Sequence, residues 1–225
     1  MIAFATVLIL QAITSQGLET HRMVYPRLLQ ERAADGRLLL HVHEGLTLKL
    51  EKASIAATNL HVHQQDGGSP VVETVNGDDF NNILYQDEEE LATVTLRESQ
   101  EGVQVEGLVG PQHRIEPVLN RERSDAGMIA HMIHEIPQDA GLDKALAMPR
   151  EDINSLVEPR TAGNAFLTAV TVEVFLIVDE PHHRNFKNTS DLITYLCISV
   201  NSINLRFQKM TQPKVKLLLV AVEEN

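Results

Sequence analysis

Two nearly continuous apolar runs lie near the end of the sequence, VTVEVFLIV at 170–178 and KVKLLLVAV at 214–222. Apolar runs without alternation suit strands covered on both faces of a parallel or mixed sheet. Between them Leu192, Leu196, Val200, Ile203 and Phe207 recur at helical spacing, which predicts one amphipathic helix from about 190 to 210. Asn188, Thr189 or Ser190 offers a side-chain cap, Asp191 suits the positive end of the helix dipole, and Pro213 stops the helix. Strand, helix and strand make a right-handed βαβ unit. A unit of about 55 residues buries too little surface to stand alone. It is therefore expected to be the start of a larger sheet, cut short at Asn225.

The preceding region reads mostly as β. RLLLHVH at 37–43 and LTLKLE at 46–51 flank Glu44-Gly45, a hairpin turn, and NLHVH at 59–63 runs into the turn cluster QQDGGSP at 64–70. Further short strands are predicted at 91–96, 102–108, 113–116 and 128–133, which together suggest an antiparallel sheet or a partly closed barrel. From 137 to about 165 the pattern lapses among Pro137, Gly141, Pro149, Pro159 and Gly163. This stretch reads as a linker with room for a short helix at 142–148.

Compartment follows from the other end. IAFATVLILQAI at 2–13 is apolar and uncharged and leads to the small residues Ser15 and Gly17, the pattern of a secretory signal peptide cleaved after about Gly17. The run is too short to cross a bilayer, so the mature chain is expected to be secreted and extracellular. The 31 acidic against 19 basic side chains, a formal charge of −12, argue against nucleic acid or an anionic membrane as partner, because both require clustered Lys and Arg. An exported chain with one cysteine, Cys197, holds either a buried inert thiol or one whose partner lies elsewhere. Asn188-Thr189-Ser190 is a glycosylation sequon.

The histidines invite a metal reading. His41 and His43, and His61 and His63, each set two imidazoles on one face of a strand. On adjacent strands the two pairs would form a transition-metal site, and apart they would be solvent-facing residues of amphipathic strands. His182-His183 is open to the same two readings. His134-Glu135-Ile136-Pro137-Gln138 begins like a zinc-protease helix, but Gln stands where the second His is needed and Pro137 breaks the helix. No phosphate-binding glycine loop, Gly-x-Ser-x-Gly elbow or Cys-x-x-Cys pair is present. Spacing and chemistry alone therefore supply no complete catalytic constellation.

The order of segments resembles a reprolysin-type (adamalysin-like) zinc metalloprotease, as secreted by blood-feeding arthropods. VYPR at 24–27, LTLKLEK at 46–52, EELATVTL at 89–96, GVQVEGL at 102–108, HRIEP at 113–117 and AHMIHEI at 130–136 look like that family's propeptide. VEVFLIVD at 172–179, the helix with VNSIN at 200–204, and the strand at 215–222 look like the opening of its catalytic domain. The resemblance implies a signal peptide at 1–17, a β-rich propeptide at 18–136, a linker and processing region at 137–167, and the first βαβ unit of a truncated α/β metzincin catalytic domain at 168–225, α+β overall.

It further implies a zinc metalloendopeptidase precursor acting on extracellular protein substrates, its propeptide packed on its own catalytic domain. The family's zinc motif would lie downstream, so no catalytic residue and no zinc ligand is assigned here, and this piece is expected to be inactive. Glu173 matches a position whose carboxylate supports a structural calcium in relatives, and Cys197 would pair with a cysteine in the missing segment. The propeptide-like region has no cysteine for a thiol switch, and Arg121-Glu122-Arg123 and Pro159-Arg160 are the nearest, poor, processing sequences. The alternative, from another class, is a non-catalytic secreted binding or inhibitory protein derived from such a propeptide.

Overall fold

The computed structural model describes residues 21–99, 102–118, 128–137 and 168–224. The expected signal peptide at 1–17, the linker from 138 onward with the short helix expected at 142–148, and both processing sequences lie outside these residues.

Nine strands form one antiparallel sheet: β1 (Arg22–Val24), β2 (Arg27–Arg32), β3 (Leu38–His43), β4 (Leu46–Lys52), β7 (Leu84–Asp87), β8 (Ala92–Ser99), β9 (Gly102–Val109), β10 (His113–Pro117) and β11 (His131–Glu135). Their order is β1-β11-β10-β9-β8-β7-β4-β3-β2. β1 and β2 thus occupy opposite edges of the sheet, yet only Tyr25 and Pro26 separate them. A link that short spans no more than about 11 Å, so the sheet curls until its edges meet, as a nearly closed barrel. The alternating inward residues Leu40, Val42, Leu48, Leu50, Val94, Val103, Val105, Ile115 and Ile133 fill the interior. Gly107 permits a close approach of β9 to β8. Its φ is +143°, and a Cβ there would lie 2.3 Å from the Thr93 carbonyl oxygen on β8.

The remaining strands form a second, mixed sheet in the order β12-β13-β5-β6: β5 (Ala56–Asp66), β6 (Ser69–Asn76), β12 (Ala169–Val178) and β13 (Lys214–Glu224). β12 and β13 run parallel, β13 and β5 run parallel, and β5 and β6 form a hairpin. Its turn is only Gly67-Gly68, both at positive φ. Gln64, Gln65 and Asp66 are paired with Val71, Pro70 and Ser69, so most of the polar cluster predicted as turn belongs to the ladder. The βαβ unit therefore does not stand alone. Two strands from the N-terminal half extend its sheet.

The described residues also hold three helices: α1 (Asp78–Asn81), α2 (Glu180–His183) and α3 (Thr189–Phe207). α3 begins where the sequence predicts. The Asn188 side-chain oxygen accepts the Asp191 N–H at 2.8 Å. Its buried side is wider than the predicted stripe and includes Ile193, Cys197, Asn201, Asn204 and Leu205, while Ile203 faces outward at 41% exposure. The cause is that α3 lies between two partners, β13 on one side and β8 and β9 on the other. β12 departs in the opposite sense. α3 covers one face of its sheet, and on the other face Phe175 and Ile177 remain exposed.

Candidate functional site

A group of polar side chains lies at the seam between the barrel and the mixed sheet. Leu60 and Val62 of β5 and Leu219 and Val222 of β13 are wholly buried. They share one core with Leu192, Ile193, Leu196, Cys197 and Val200 of α3 and with Ala53, Ile55 and Leu84 beside the barrel. At one end of the seam Gln64 donates from its amide nitrogen to Glu224 Oε2 at 2.8 Å and to the Thr189 hydroxyl at 3.2 Å. His183 Nε2 lies 3.7 Å from the same Glu224 oxygen. Side chains from β5 and α2 thus converge on one β13 carboxylate that is only 7% exposed, and Gln64 ties it to Thr189 of α3.

Toward the other end Asn201 donates to the Thr93 hydroxyl on β8 at 2.9 Å, and Asn204 both accepts the Leu217 N–H at 2.7 Å and donates to its carbonyl at 3.0 Å. On the barrel side Arg114, bridged to Glu106 at 3.1 Å, lies 5.3 Å above the Tyr195 ring, which packs on His182 and Phe186. A cleft of about 730 Å³ opens where α3 ends, lined among others by Lys52, Gln86, Asn204, Phe207 and Lys216.

A clamp holds the start of β5. Asn81 on α1 accepts the N–H groups of Ile55 and Ala56 at 2.9 and 3.0 Å and donates to the Ala56 carbonyl at 2.9 Å. The Ile55 carbonyl in turn accepts the Leu219 N–H at 2.9 Å. A second device sits in the barrel. His131 is completely buried, its Nε2 accepts the Val105 N–H at 2.9 Å, and its Nδ1 lies 3.0 Å from the Ile129 carbonyl. Because Nε2 accepts, Nδ1 carries the proton and the ring is neutral. Burial holds its pKa below the ordinary histidine value.

The residues singled out from sequence are dispersed. His41 and His43 lie on β3 in the barrel and His61 and His63 on β5 in the mixed sheet, so the two pairs do not meet. His41 and His61 each lie within hydrogen-bond distance of a threonine across the ladder, Thr47 and Thr74, and His63 packs its ring on Phe175. His134 and Glu135 are on the strand β11 opposite Arg114 and His113, without the helix a zinc motif needs. Glu173 stands exposed on the open face of β12, paired with Leu218. Cys197 is buried in the shared core, where burial pushes its thiol pKa up to about 12. Asn188 is exposed and serves as the α3 cap. Among the described residues no three His, Cys, Asp or Glu side chains are grouped to hold a metal ion, and no helix is long and apolar enough to cross a membrane.

Asn81, His131, Asn201, Gln64 and Glu224 were not foreseen. Each is a polar residue in or beside an apolar run, and its partner lies on a distant segment that spacing along the chain does not reveal.

No family model and no solved structure matches the chain. One curated protein does. The chain is similar to a venom metalloproteinase, BumaMPs1 of Olivierus martensii, at 24% identity over 214 residues. The match covers 92% of this chain and 53% of the relative, so the chain spans about half the length of the curated protein it matches. The likeness supports a relationship to metalloproteinases and is consistent with a secreted protein.

Proposed function

We propose that the chain is the N-terminal part of a secreted zinc metalloendopeptidase precursor of the reprolysin type: a signal peptide at 1–17, a propeptide at 18–136, a processing region at 137–167, and the first elements of the catalytic domain at 168–225. The observation that carries this is the likeness to a venom metalloproteinase along 92% of the chain.

The residues present do not fit a catalytic zinc, since His134-Glu135 lies on a strand and no third ligand approaches among the described residues. No step of peptide hydrolysis is therefore derived from them. In this reading the zinc ligands and general base lie in further sequence, and the piece by itself is inactive. Glu173 is a candidate calcium ligand only together with oxygen donors from that sequence, and Cys197 a disulfide partner only if its thiol leaves the core. Latency would rest on steric cover, since 18–136 contains no cysteine.

Sequencing the transcript beyond the Asn225 codon tests the proposal. An open frame reaching His-Glu-x-x-His supports it. A stop codon there refutes it and favours the non-catalytic secreted binding or inhibitory protein. Purified chain should leave casein intact, and cleavage accompanied by stoichiometric zinc would overturn the inactive-fragment reading.

A further inference from the structure

We infer that the mouth of the barrel, at the end where β1 begins, is a binding site for a small organic monocarboxylate: one carboxylate on a short apolar body. The inference is independent of the precursor reading.

A cavity of about 370 Å³ opens at this mouth. Its floor is apolar, because Leu46, Val109 and Ile133 belong to the barrel core. Its rim carries Arg22, His43 and His113. The strand register explains why these side chains share one space. Residues paired directly across a ladder present their side chains on the same face, and Arg22 is paired with Ile133 and His43 with Leu46. On β10, His113 lies two positions from the buried Ile115, so it points to the same side. Along β1 and β10 the inward series therefore passes from Val24 and Ile115 in the core to Arg22 and His113 at the mouth.

The rim has donors to spare. Neither Arg22 nor His113 has a hydrogen bond or ion pair among the described residues. His43 is held in place by donation from Nδ1 to the Glu44 carbonyl at 2.6 Å. Two acids of the β7–β8 turn are already engaged: Asp87 accepts the N–H groups of Lys49, Glu89 and Glu90, and Glu89 pairs with Lys49 at 2.8 Å. Glu135, paired with His113, is the acid on the same face as the rim, and it disfavours a ligand with two negative charges.

This combination selects a class of ligand. A guanidinium is a planar fork that matches a carboxylate with two parallel hydrogen bonds. The floor takes hydrocarbon out of water. Apolar walls with a few placed polar groups, in the mouth of a β-barrel, are a common form of small-molecule site, and this cavity is at the small end of the usual range of roughly 300–1,000 Å³. The chain as a whole carries a formal charge of −12, so a concave site with an unpaired arginine runs against its general repulsion of anions.

The test is isothermal titration calorimetry of the full chain with sodium octanoate below its micellar concentration, beside octanol and sodium sulfate. Octanoate is expected to bind saturably, one equivalent per chain. Octanol keeps the hydrocarbon and lacks the charge, sulfate has charge and no hydrocarbon, and each should bind at least ~10-fold more weakly. Arg22→Gln should weaken octanoate at least ~10-fold. Arg97→Gln, an exposed site on β8 away from the Ala92 end that pairs with Val109, should change it less than ~2-fold. Circular dichroism checks each variant, and if Arg22→Gln fails to fold, His113→Gln takes its place with at least ~3-fold weakening expected. Absence of saturable octanoate binding, equal binding of octanol or sulfate, or equal weakening by the rim and Arg97 variants would overturn the inference.

Discussion

Replacing Asn81 by Ala removes the clamp on which the first rung of the seam depends. Its side-chain oxygen accepts two backbone N–H groups, from Ile55 and Ala56, and its amide donates to the Ala56 carbonyl, all at 2.9 to 3.0 Å. The residue is only 9% exposed, so water does not readily replace it. Truncation leaves three buried backbone groups without partners, each costing about 1–3 kcal/mol, for a total of roughly 3–6 kcal/mol after partial relaxation. That is a large share of the roughly 5–15 kcal/mol available to a natural domain. In a chain of this size it corresponds to a fall in Tm of about 6–24 °C.

The effect should extend beyond α1, because Ile55 carries the carbonyl that receives the Leu219 N–H. Urea unfolding followed by far-ultraviolet circular dichroism measures the loss. Hydrogen exchange at Leu219 measures the local opening. The control is Asn82→Ala, the same chemical change one position along on an exposed residue, expected to cost less than about 0.5 kcal/mol. If the two alanine variants differ by less than 1 kcal/mol, the clamp is not what holds the start of β5.

Three further outcomes follow from the same geometry. Since the folded-state pKa of His131 is held below the unfolded value of 6.5 by burial, the unfolded chain binds the extra proton first as pH falls. Its contribution to stability is therefore complete above pH 6.5 and is lost as pH drops from there toward the folded-state pKa. Tm measured from pH 8 to 5 should fall less steeply in His131→Gln, which keeps an acceptor for Val105 and a donor for Ile129 without titrating, and an unchanged slope would remove His131 as the cause. Cys197, buried with its thiol pushed up to about 12, should react with a thiol reagent at pH 8 only as fast as the protein opens, so rapid labelling of the native chain would contradict its placement. Gly107→Ala should cost at least about 3 kcal/mol in urea unfolding, because the new methyl meets the Thr93 carbonyl at 2.3 Å and the φ of +143° excludes it.

Much of the local structure is legible along the chain because it rests on near neighbours. The β3–β4 hairpin at Glu44-Gly45 and the start of α3 at Asn188 are each set by residues within four positions of one another. What could not be read is which strands pair. β5 alternates like its neighbours, and nothing in its sequence separates it from barrel strands, yet it leaves the barrel to run beside β13, more than 150 residues later. The widening of the buried side of α3 has the same origin. Asn201 and Asn204 lie outside the stripe read from the spacing, and their partners, Thr93 and the Leu217 backbone, come from distant segments. The candidate site was illegible for this reason: Gln64, Glu224, His183 and Thr189 come from four segments and form no motif.

That pairing changes what a boundary at 137–167 would mean. A division there separates the sequence into a β-rich half and a βαβ half, and composition supports it. The hydrophobic core does not follow it, because Leu60 and Val62 are buried against Leu219, Val222 and Leu196 from across the division. A covalent boundary and a folding boundary are independent quantities. The first is where a protease can act, and the second is where few contacts cross. In this chain they fall in different places, because β5 pairs with β13 and α3 packs on β8 and β9 across the division.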